Sequence, residues 1–275
     1  IDFPMPSVGA TENAMLAATA ADGVTTITNA AREPEIIDLQ NYINGLGAEI
    51  RGAGTSIITV TGGIKERFYE HTVIPDRIAA ATIMACAASS GGDITLNNVC
   101  PEDVSSVSSA FSAMGCAVSE QGSTLRIVSP EKLLSPGTIS TAPYPGFPTD
   151  LQSLAMAILT VADGVSIITE SLYENRFMQV PELRKMGANI TCNGKSAVFE
   201  GVDELYGAPV YASDLRAGAA LIIAGLAADG FTVIDDIKFV QRGYEDIQGK
   251  LQQLGADFET VNNERDIQKF KLSVS

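Results

Sequence analysis

The sequence predicts an α/β protein built from a repeated βαβαββ unit, and the first observation behind this prediction is a spacing of glycines. A glycine follows an alanine-rich apolar run, a short β-branched stretch comes next, and a second glycine closes an amphipathic run 23 to 25 residues later. The pattern occurs four times, with 66 to 72 residues between successive units, which indicates an internal repeat. The glycine pairs are Gly23 and Gly47, Gly92 and Gly115, Gly164 and Gly187, and Gly230 and Gly255.

The second observation is that the two helices predicted for a unit differ in character. The first helix is apolar on nearly every side, which is typical of a helix that is buried all round. The second helix is amphipathic, so its polar face meets solvent or a neighbour. We therefore expect several units around a bundle of buried helices, with the sheets toward the outside. The first helices include 78–88, 151–162 and 217–228, and the second helices include 102–114, 180–186 and 244–254.

The first unit illustrates the element order of the repeat. Its second glycine, Gly47, suits the position just after a helix, where φ is positive. The predicted elements are the end of a strand at 1–3, a helix at 11–21, a strand at 25–28, a helix at 34–46, and a hairpin of strands 49–51 and 57–61 over the turn 52–56.

A single linker interrupts the repeat, at residues 62–67. A boundary near residues 62–74 divides the chain into a domain of one unit, residues 1–70, and a domain of three units, residues 71–275. The chain opens on Ile1 in what reads as the middle of a strand. We therefore expect a piece of a longer protein.

Composition excludes several classes of function. The net charge of −15, with no basic stretch, argues against nucleic acid or an anionic membrane as the main partner. The apolar runs are too short to span a bilayer, and no secretory signal is visible. Four cysteines without a CxxC pair are expected to be reduced thiols of a cytosolic protein. A single histidine, His71, argues against His-based triads and zinc sites, so no metal and no cofactor is predicted.

The stretch 143–150 contains three prolines and ends at Asp150, directly before a predicted buried helix. Proline fixes φ and removes a backbone donor, so this stretch is neither a helix nor a central strand. A stiff loop therefore delivers one carboxylate to a helix N-terminus. Two interpretations stay open at this point: Asp150 is an ordinary N-cap, or it is a functional acid.

Arginines recur near predicted helix starts. Arg32, Arg176 and Arg242 fall just before or at the start of a second helix, and Arg77 and Arg216 at the start of a first helix. Cations at these positions oppose the helix macrodipole. Stability alone does not explain them, whereas a shared phosphate or carboxylate ligand does. For any single arginine a structural salt bridge is the alternative, for instance between Arg216 and Asp214.

Three acids, Asp76, Asp150 and Asp214, stand at first-helix entries, where capping accounts for all of them. Asp214 and Arg216 also form an acid and a cation two residues apart, a pair suited to a general base and an anion clamp. The corresponding entry of the first unit, residues 6–11, consists of small residues whose free N–H groups suit a diphosphate. An ordinary Ser or Thr cap is the alternative there.

Seven motifs together resemble one known family, the UDP-N-acetylglucosamine 1-carboxyvinyltransferases among the enolpyruvyl transferases. The resemblance covers the whole chain in order. The motifs are SVGATEN (7–13), NAAREPEI (29–36), PDRI (75–78), PYPGFPTD (143–150), YENRFM (173–178), DLRA (214–217) and RGYE (242–245).

The resemblance implies a fold of two similar domains, each an inside-out α/β barrel of three βαβαββ units. Four of those six units are then present here. Residues 1–70 correspond to the last unit of the domain that carries the catalytic loop, and residues 71–275 to the other domain without its extreme N-terminal strand.

The resemblance also implies a reaction, the transfer of enolpyruvyl from phosphoenolpyruvate to the 3′-hydroxyl of UDP-N-acetylglucosamine with loss of phosphate, in the cytoplasm and for peptidoglycan synthesis. Asp150 is then the base beside the hydroxyl, Arg216 and Arg242 bind the phosphoenolpyruvate anion, and Asp214 assists at the reacting carbon. A Lys of the family is replaced by Met5, which removes one uridine-side contact. The residues that line the UDP-sugar site are then Pro6, Ser7, Val8, Gly9 and Leu172.

The family's proton donor is a Cys on a mobile loop, and its catalytic Lys and a loop Arg lie in the same region, upstream of Ile1. None of the four cysteines of this chain matches that loop, so we predict that the chain alone is inactive. Two alternatives remain: the shikimate-pathway enolpyruvyl transferase, and a non-catalytic module built of these repeats. The sequence leaves the oligomeric state open.

Overall fold

A computed structural model describes residues 1–63, 67–174, 176–261 and 263–274. Residues 64–66 of the predicted linker lie outside the described residues. The chain divides into two compact units. The small unit is Ile1–Asp76 with Ala142–Pro148, and the large unit is Arg77–Thr141 with Thr149–Ser275.

The small unit contains a three-stranded antiparallel sheet in which β3 lies between β1 and β2. Its core is apolar because alternate strand residues, such as Ile27 and Ile58, point toward Met15 and Ile36 of the two helices. In chain order its elements are α1 (Val8–Thr19), β1 (Val24–Thr28), α2 (Pro34–Gly45), β2 (Glu49–Arg51) and β3 (Ile57–Thr61).

The predicted elements of the first unit are confirmed, with some boundaries shifted by one to three residues. Both hairpin strands lie at the predicted residues, and Asp2 bridges Thr28 in parallel, as expected for a strand end at 1–3. The first helix begins at Val8 rather than at residue 11. The reason is Ser7, whose hydroxyl oxygen accepts a hydrogen bond from the Ala10 amide at 3.4 Å and so caps the helix.

The large unit contains the remaining helices and strands. In chain order they are α3 (Arg77–Ser89), β4 (Asp93–Asn97), a 3₁₀ turn (Pro101–Val104), α4 (Ser105–Ala113), β5 (Ala117–Gln121), β6 (Thr124–Val128), β7 (Thr138–Ser140), a second 3₁₀ turn (Thr149–Leu151), α5 (Gln152–Leu159), β8 (Val165–Thr169), α6 (Val180–Lys185), β9 (Asn189–Asn193), β10 (Ser196–Glu200), β11 (Leu205–Tyr206), β12 (Pro209–Tyr211), α7 (Leu215–Ala227), β13 (Ala228–Asp229), β14 (Val233–Asp235), α8 (Lys238–Gly243), α9 (Ile247–Gln253) and α10 (Glu264–Val274).

Three apolar helices, α3, α5 and α7, form the centre of the large unit and pack against one another. Every residue of α5 is buried, and so is the middle of α7. A small residue also lets α8 approach α7 closely, since a Cβ at Gly218 would lie 2.4 Å from Cγ2 of Val240. The prediction that the first helix of each of these units is buried on all sides is confirmed.

Each central helix also contacts strands, so the sheets lie around the helix bundle. α3 packs on β4 and β6, α5 on β8, and α7 on β11 and β14. The sheets are β4-β6-β5, β7-β8-β10-β9 and the parallel pairs β11-β13 and β12-β14. Within the described residues these sheets stay separate and none closes into a barrel. The arrangement of helices inside and sheets outside agrees with the sequence prediction.

The second glycine of every unit adopts the left-handed conformation that the repeat predicts. The φ angles are 109° at Gly47, 93° at Gly115, 98° at Gly187 and 94° at Gly255. Each follows a helix of its unit, where a left-handed residue ends the helix and a Cβ would be strained. The regular spacing of these glycines therefore reflects the need for a residue with positive φ at the end of each helix.

The fourth unit departs from the predicted pattern in its second helix. The helix expected at 244–254 is present as the shorter α9, and α8, which the sequence did not predict, precedes it. They are separated at Asp246, which has a φ of 44°. The Asp246 carboxylate accepts a hydrogen bond from the Gly249 amide at 3.1 Å and starts α9. A left-handed residue and a new N-cap cannot lie inside a continuous helix, so the predicted helix begins three residues later than expected.

The end of the fourth unit also differs, because α10 stands where the repeat predicts two short strands. Asn263 begins this helix, and its side-chain oxygen accepts from the Asp266 amide at 3.0 Å. Acidic residues, Glu264 and Asp266, occupy the first turn, and Lys271 the last turn. This charge order favours a helix through its macrodipole, so local capping overrides the repeat here.

Candidate active site

Asp150 lies in the 3₁₀ turn Thr149–Leu151, at the entrance to α5. The N-cap residue of α5 is Leu151, and no side chain caps this helix. The Asp150 carboxylate instead accepts from Nε of Arg216 at 3.3 Å and from Nη1 of Arg176 at 3.5 Å. The interpretation of Asp150 as an ordinary N-cap is therefore wrong, because its carboxylate binds guanidinium groups and no helix amide.

The loop that leads to Asp150 is closed by its own backbone. The Gly146 amide donates to the Pro143 carbonyl at 2.9 Å, and the Ala142 amide donates to the Phe147 carbonyl at 3.0 Å. A Cβ at Gly146 would lie 2.6 Å from Cβ of Ala142, so this turn requires glycine. The peptide bond between Tyr144 and Pro145 is cis.

Both ion pairs of Asp150 use the same oxygen, Oδ1. Among the residues that the structure describes, no donor is bonded to Oδ2. The side chain is 41% exposed, beside Arg176 at 27% and Arg216 at 22%. A carboxylate oxygen that is open to solvent and accepts no hydrogen bond can take a proton or a hydrogen bond from a ligand hydroxyl.

Arg216, the second residue of α7, is held on its other side by Tyr244. Its Nη1 donates to the Tyr244 hydroxyl at 3.4 Å, and that hydroxyl is 3.0 Å from Oγ1 of Thr82 in α3. Tyr244 and Thr82 are buried, so this chain of contacts fixes the guanidinium between two helices. The salt bridge to Asp214 that the sequence left open does not form, because the guanidinium binds Asp150.

Arg176 precedes α6 and contacts the turn that carries Asp150. Its Nη1 also donates to the Thr149 carbonyl at 3.5 Å, and its guanidinium carbon lies 4.6 Å from the centre of the Tyr173 ring. Stacking on an aromatic face restricts the guanidinium plane. Its neighbour in the YENRFM motif, Asn175, lies outside the described residues. The sequence placed Arg176 in the anion-binding set but not beside Asp150.

Leu172 follows β8 by three residues and is half-buried. Its amide donates to Oε1 of Glu170 at 2.9 Å. A cleft of about 240 Å³ lies beside this segment. Its lining includes Glu170, Tyr173, Arg176, Phe177, Met178 and Lys195.

Asp214 is the N-cap of α7. Its Oδ1 accepts from the amides of Arg216 at 2.8 Å and Ala217 at 2.9 Å, and its Oδ2 accepts from the Ser213 hydroxyl at 3.2 Å. Capping satisfies helix amides that otherwise have no acceptor. The contacts seen here are those of a cap, and the assistance at a reacting carbon that the resemblance implies stays a prediction.

Arg242 is exposed and lies in the last turn of α8. Arg32 and Arg176 precede α2 and α6 as predicted, whereas Arg242 ends a short helix that the sequence did not predict. A cation is favoured at a helix C-terminus, so the macrodipole argument does not apply to Arg242. No described residue forms a hydrogen bond or an ion pair with its side chain. Its binding to phosphoenolpyruvate stays a prediction.

Residues 6–9 lie in the small unit, at the start of α1. Ser7 is the N-cap, which confirms the ordinary cap, and Gly9 is exposed. A Cβ at Gly9 would meet nothing within 4 Å. The first amides of a helix have no acceptor within it, so those of Val8 and Gly9 are available to a ligand. That they bind a diphosphate stays a prediction.

The cysteines have the properties of unreactive thiols. Burial raises the pKa of Cys86 to about 12 and that of Cys116 to about 11. Burial also raises the pKa of Cys100 and Cys192. A raised pKa keeps the thiol protonated at neutral pH, where the thiolate is the nucleophile. The four thiols are therefore poor nucleophiles at neutral pH.

Neither a metal-binding cluster nor a membrane-spanning helix occurs among the described residues. No group of three or more His, Cys, Asp and Glu side chains is arranged to hold a metal ion. No described helix has both the length and the apolar composition needed to cross a membrane.

Three curated relatives are about half identical to this chain over the aligned residues, and all three are UDP-N-acetylglucosamine 1-carboxyvinyltransferases. The protein from Symbiobacterium thermophilum is 51% identical over 261 residues, covering 95% of this chain and 58% of its own length. The protein from Caldanaerobacter subterraneus subsp. tengcongensis is 53% identical, covering 93% and 61%. That from Carboxydothermus hydrogenoformans is 49% identical, covering 96% and 63%. The chain thus spans about three fifths of these relatives.

Solved structures give the same fold. The enolpyruvyl transferase NikO from Streptomyces tendae superposes with a TM-score of 0.81 at 25% identity, over 90% of this chain and 59% of its own. An EPSP synthase from Acinetobacter baumannii superposes with a TM-score of 0.69 at 20% identity, over 92% and 61%. The chain therefore has the α/β fold of enolpyruvyl transferases, which confirms the predicted fold class.

A family model matches nearly the whole chain, residues 1–251, and describes EPSP synthase (3-phosphoshikimate 1-carboxyvinyltransferase). The match includes the small unit, the large unit as far as residue 251, and every candidate site residue named above. With the relatives and the common fold, it leads to one conclusion: the chain belongs to the EPSP synthase family.

Proposed function

We propose that the protein containing this chain transfers the enolpyruvyl group of phosphoenolpyruvate to the 3′-hydroxyl of UDP-N-acetylglucosamine and releases phosphate. The observation that carries the proposal is the Asp150 carboxylate, with one oxygen on two guanidinium groups and the other open. Relatives that are 49% to 53% identical bear the name of this activity. The cytoplasmic setting, the role in peptidoglycan synthesis and the two small-molecule substrates are part of the same proposal.

Asp150 acts as the base in this proposal. Its Oδ2 takes the proton of the sugar 3′-hydroxyl, while the hydroxyl oxygen adds to the phosphate-bearing carbon of phosphoenolpyruvate. An acid protonates the vinyl carbon in the same step. Loss of phosphate and of a proton from the methyl group then restores the double bond. The ion pairs with Arg176 and Arg216 hold Oδ1, which leaves Oδ2 to face the hydroxyl.

The arginines supply the charge that two anionic substrates require. Two guanidinium groups share one carboxylate oxygen in the site, so one positive charge is left for an anion. Arg216 and Arg242 bind phosphoenolpyruvate in the proposal, and Asp214 assists at the reacting carbon. The UDP-sugar site is assigned to Pro6, Ser7, Val8, Gly9 and Leu172.

Substitution of Asp150 in the full-length protein tests the proposal. Asp150→Asn keeps the size of the side chain but removes the base, and we expect kcat to fall about 10²- to 10⁴-fold. Asp203→Asn is the matched control, since the Asp203 side chain is 97% exposed and, in the part of the chain that the structure describes, bonded only to Lys132. Release of phosphate from both substrates is the measurement. Turnover by Asp150→Asn within about twofold of wild type contradicts the proposal. It favours the alternative that this chain is a non-catalytic module of the full-length protein.

The acceptor is tested separately, because the matching family model describes the enzyme that acts on 3-phosphoshikimate. Phosphate release by the wild-type full-length protein is compared with UDP-N-acetylglucosamine and with shikimate 3-phosphate as acceptor. We expect turnover with the UDP-sugar alone. Turnover only with shikimate 3-phosphate assigns the chain to the shikimate-pathway activity.

A further inference from the structure

Glu170 is a buried carboxylate outside the residues assigned above to catalysis or binding. It directly follows β8 and is 1% exposed. Its Oε1 accepts from the Thr141 hydroxyl at 2.9 Å, the Leu172 amide at 2.9 Å and the Tyr173 amide at 3.1 Å. Its Oε2 accepts from the Thr149 hydroxyl at 2.8 Å. All four donors are neutral groups.

A buried carboxylate is unfavourable unless hydrogen bonds replace its hydration. Glu170 belongs to no ion pair among the described residues, so these four bonds alone provide that replacement. Four donors aimed at two oxygens also fix the carboxylate plane, and the carboxylate in turn fixes each donor. A residue of this kind determines the relative position of the segments that supply its donors.

Those segments are the ones that carry the site. Thr149 immediately precedes Asp150, and its carbonyl also accepts from Nη1 of Arg176 at 3.5 Å. Leu172 and Tyr173 belong to the segment that leads to Arg176, which stacks on Tyr173. Glu170 therefore bonds to the Thr149 hydroxyl on the Asp150 side of the ion pair, and to the Leu172 and Tyr173 amides on the Arg176 side.

We propose that Glu170 is a positioning residue for the Asp150 base, acting through the Thr149 hydroxyl. This inference rests on the proposed function for its kinetic consequence. The structural part of the inference does not depend on that function. It states that the Glu170 carboxylate fixes the position of Thr149–Leu151 relative to the segment at 170–173.

Three variants of the full-length protein separate positioning from stability. Glu170→Gln puts an NH₂ group where one carboxylate oxygen now accepts from Thr149. Thr149→Val removes only that hydroxyl, next to Asp150. Thr141→Val is the matched control. It removes the other hydroxyl bonded to Glu170, together with the acceptor of the Ser171 amide at 2.9 Å, but it does not touch the turn of Asp150.

We expect Glu170→Gln and Thr149→Val to lower kcat on the order of 10²-fold, since a displacement of about 1 Å has that effect on a positioned group. Their KM for phosphoenolpyruvate should stay within about threefold of wild type. Thr141→Val should lower the melting temperature at least as much and keep kcat within about threefold. The inference is overturned if Thr149→Val retains wild-type kcat, or if the loss of kcat follows the melting temperature across all three variants.

A crystal structure of Glu170→Gln supplies a readout that does not depend on activity. In the wild-type protein Oδ1 of Asp150 lies 3.3 Å from Nε of Arg216, and we expect this distance to increase in the variant. An unchanged ion pair overturns the inference whatever the kinetics are. Absence of turnover by the wild-type protein instead contradicts the proposed function, and the crystallographic result then decides the positioning role alone.

Discussion

The charge around Asp150 explains how a single acid serves both structure and chemistry. Two guanidinium groups on one oxygen anchor the carboxylate and leave its second oxygen without a described donor. The local excess of positive charge is balanced when an anionic substrate arrives. A lysine in place of Arg216 would lose this geometry, because an ammonium group does not reach Asp150 and Tyr244 from one planar fork.

The two acids nearest to Arg216 in this unit have different tasks. Asp150 binds its guanidinium, whereas Asp214 binds its amide as the cap of α7. Sequence alone presented both as acids at helix entries, and the distinction follows from the backbone. Asp214 has the extended φ of −159° that an N-cap needs, while Asp150 lies within a 3₁₀ turn.

A pair of substitutions at Asp214 tests its role at the residue scale. Asp214→Ala removes the cap and should lower the free energy of unfolding by about 1 kcal/mol, whereas Asp214→Asn still caps and should cost only a few tenths. Urea unfolding measures both. A large loss of kcat in Asp214→Asn with stability retained reveals the catalytic assistance that the resemblance implies. Equal stability of both variants refutes the capping role.

At the scale of elements, the contact between the central helix α7 and its neighbour α8 depends on a glycine. Gly218 of α7 faces Val240 of α8 and Ala212, whose Cβ would lie 3.1 Å from an added Cβ. Glycine in a helix interior is otherwise less stable than alanine by about 1 kcal/mol. Its presence here is therefore explained by packing.

Gly218→Ala should destabilise the protein by about 1–3 kcal/mol, because the new methyl group overpacks the contact with Val240. Combining it with Val240→Ala removes the clash, so the double variant should lose less than the sum of the two single variants. Gly9→Ala, with nothing within 4 Å, is the control for the change in helix propensity. A stabilising effect of Gly218→Ala, measured by urea unfolding, contradicts this account of the bundle.

The elements that the sequence predicted well are those with a strong local signal. The hairpin of β2 and β3 lies at its predicted residues because β-branched strands flank a turn that contains Gly52 and Gly54, both with positive φ. The fourth unit was predicted less well. The repeat did not predict two N-caps, Asp246 and Asn263, which start α9 and α10.

At the scale of the whole molecule, charge is distributed unevenly between surface and site. The chain carries a net charge of −15, yet the candidate site presents guanidinium groups to its ligand. Net charge therefore repels anionic substrates at long range, and recognition depends on a few arginines at short range. This explains why composition excluded nucleic acid without excluding anionic metabolites.

Activity of the isolated chain is the test at this scale. The resemblance to UDP-N-acetylglucosamine 1-carboxyvinyltransferases implies that the proton donor is a cysteine on a mobile loop, and the cysteines of this chain match no such loop. We therefore expect no phosphate release when this chain is incubated with phosphoenolpyruvate and UDP-N-acetylglucosamine, whereas the full-length protein releases phosphate. Rapid release by the chain alone refutes this expectation and assigns the proton donor to one of its own residues.

The sequence by itself determined the repeat, the buried first helices, the positive φ of the second glycines and the set of candidate acids and arginines. These features depend on local backbone requirements and on periodicity, which neighbouring residues specify. The tertiary structure alone decided which acid meets which arginine. Asp150 and Arg216 are 66 residues apart, and Thr82 and Tyr244 are 162 apart, so only the packing of α3, α5 and α7 brings them together. The positioning role proposed for Glu170 also depends on the tertiary structure, since its hydrogen-bond donors come from three separate segments of the chain.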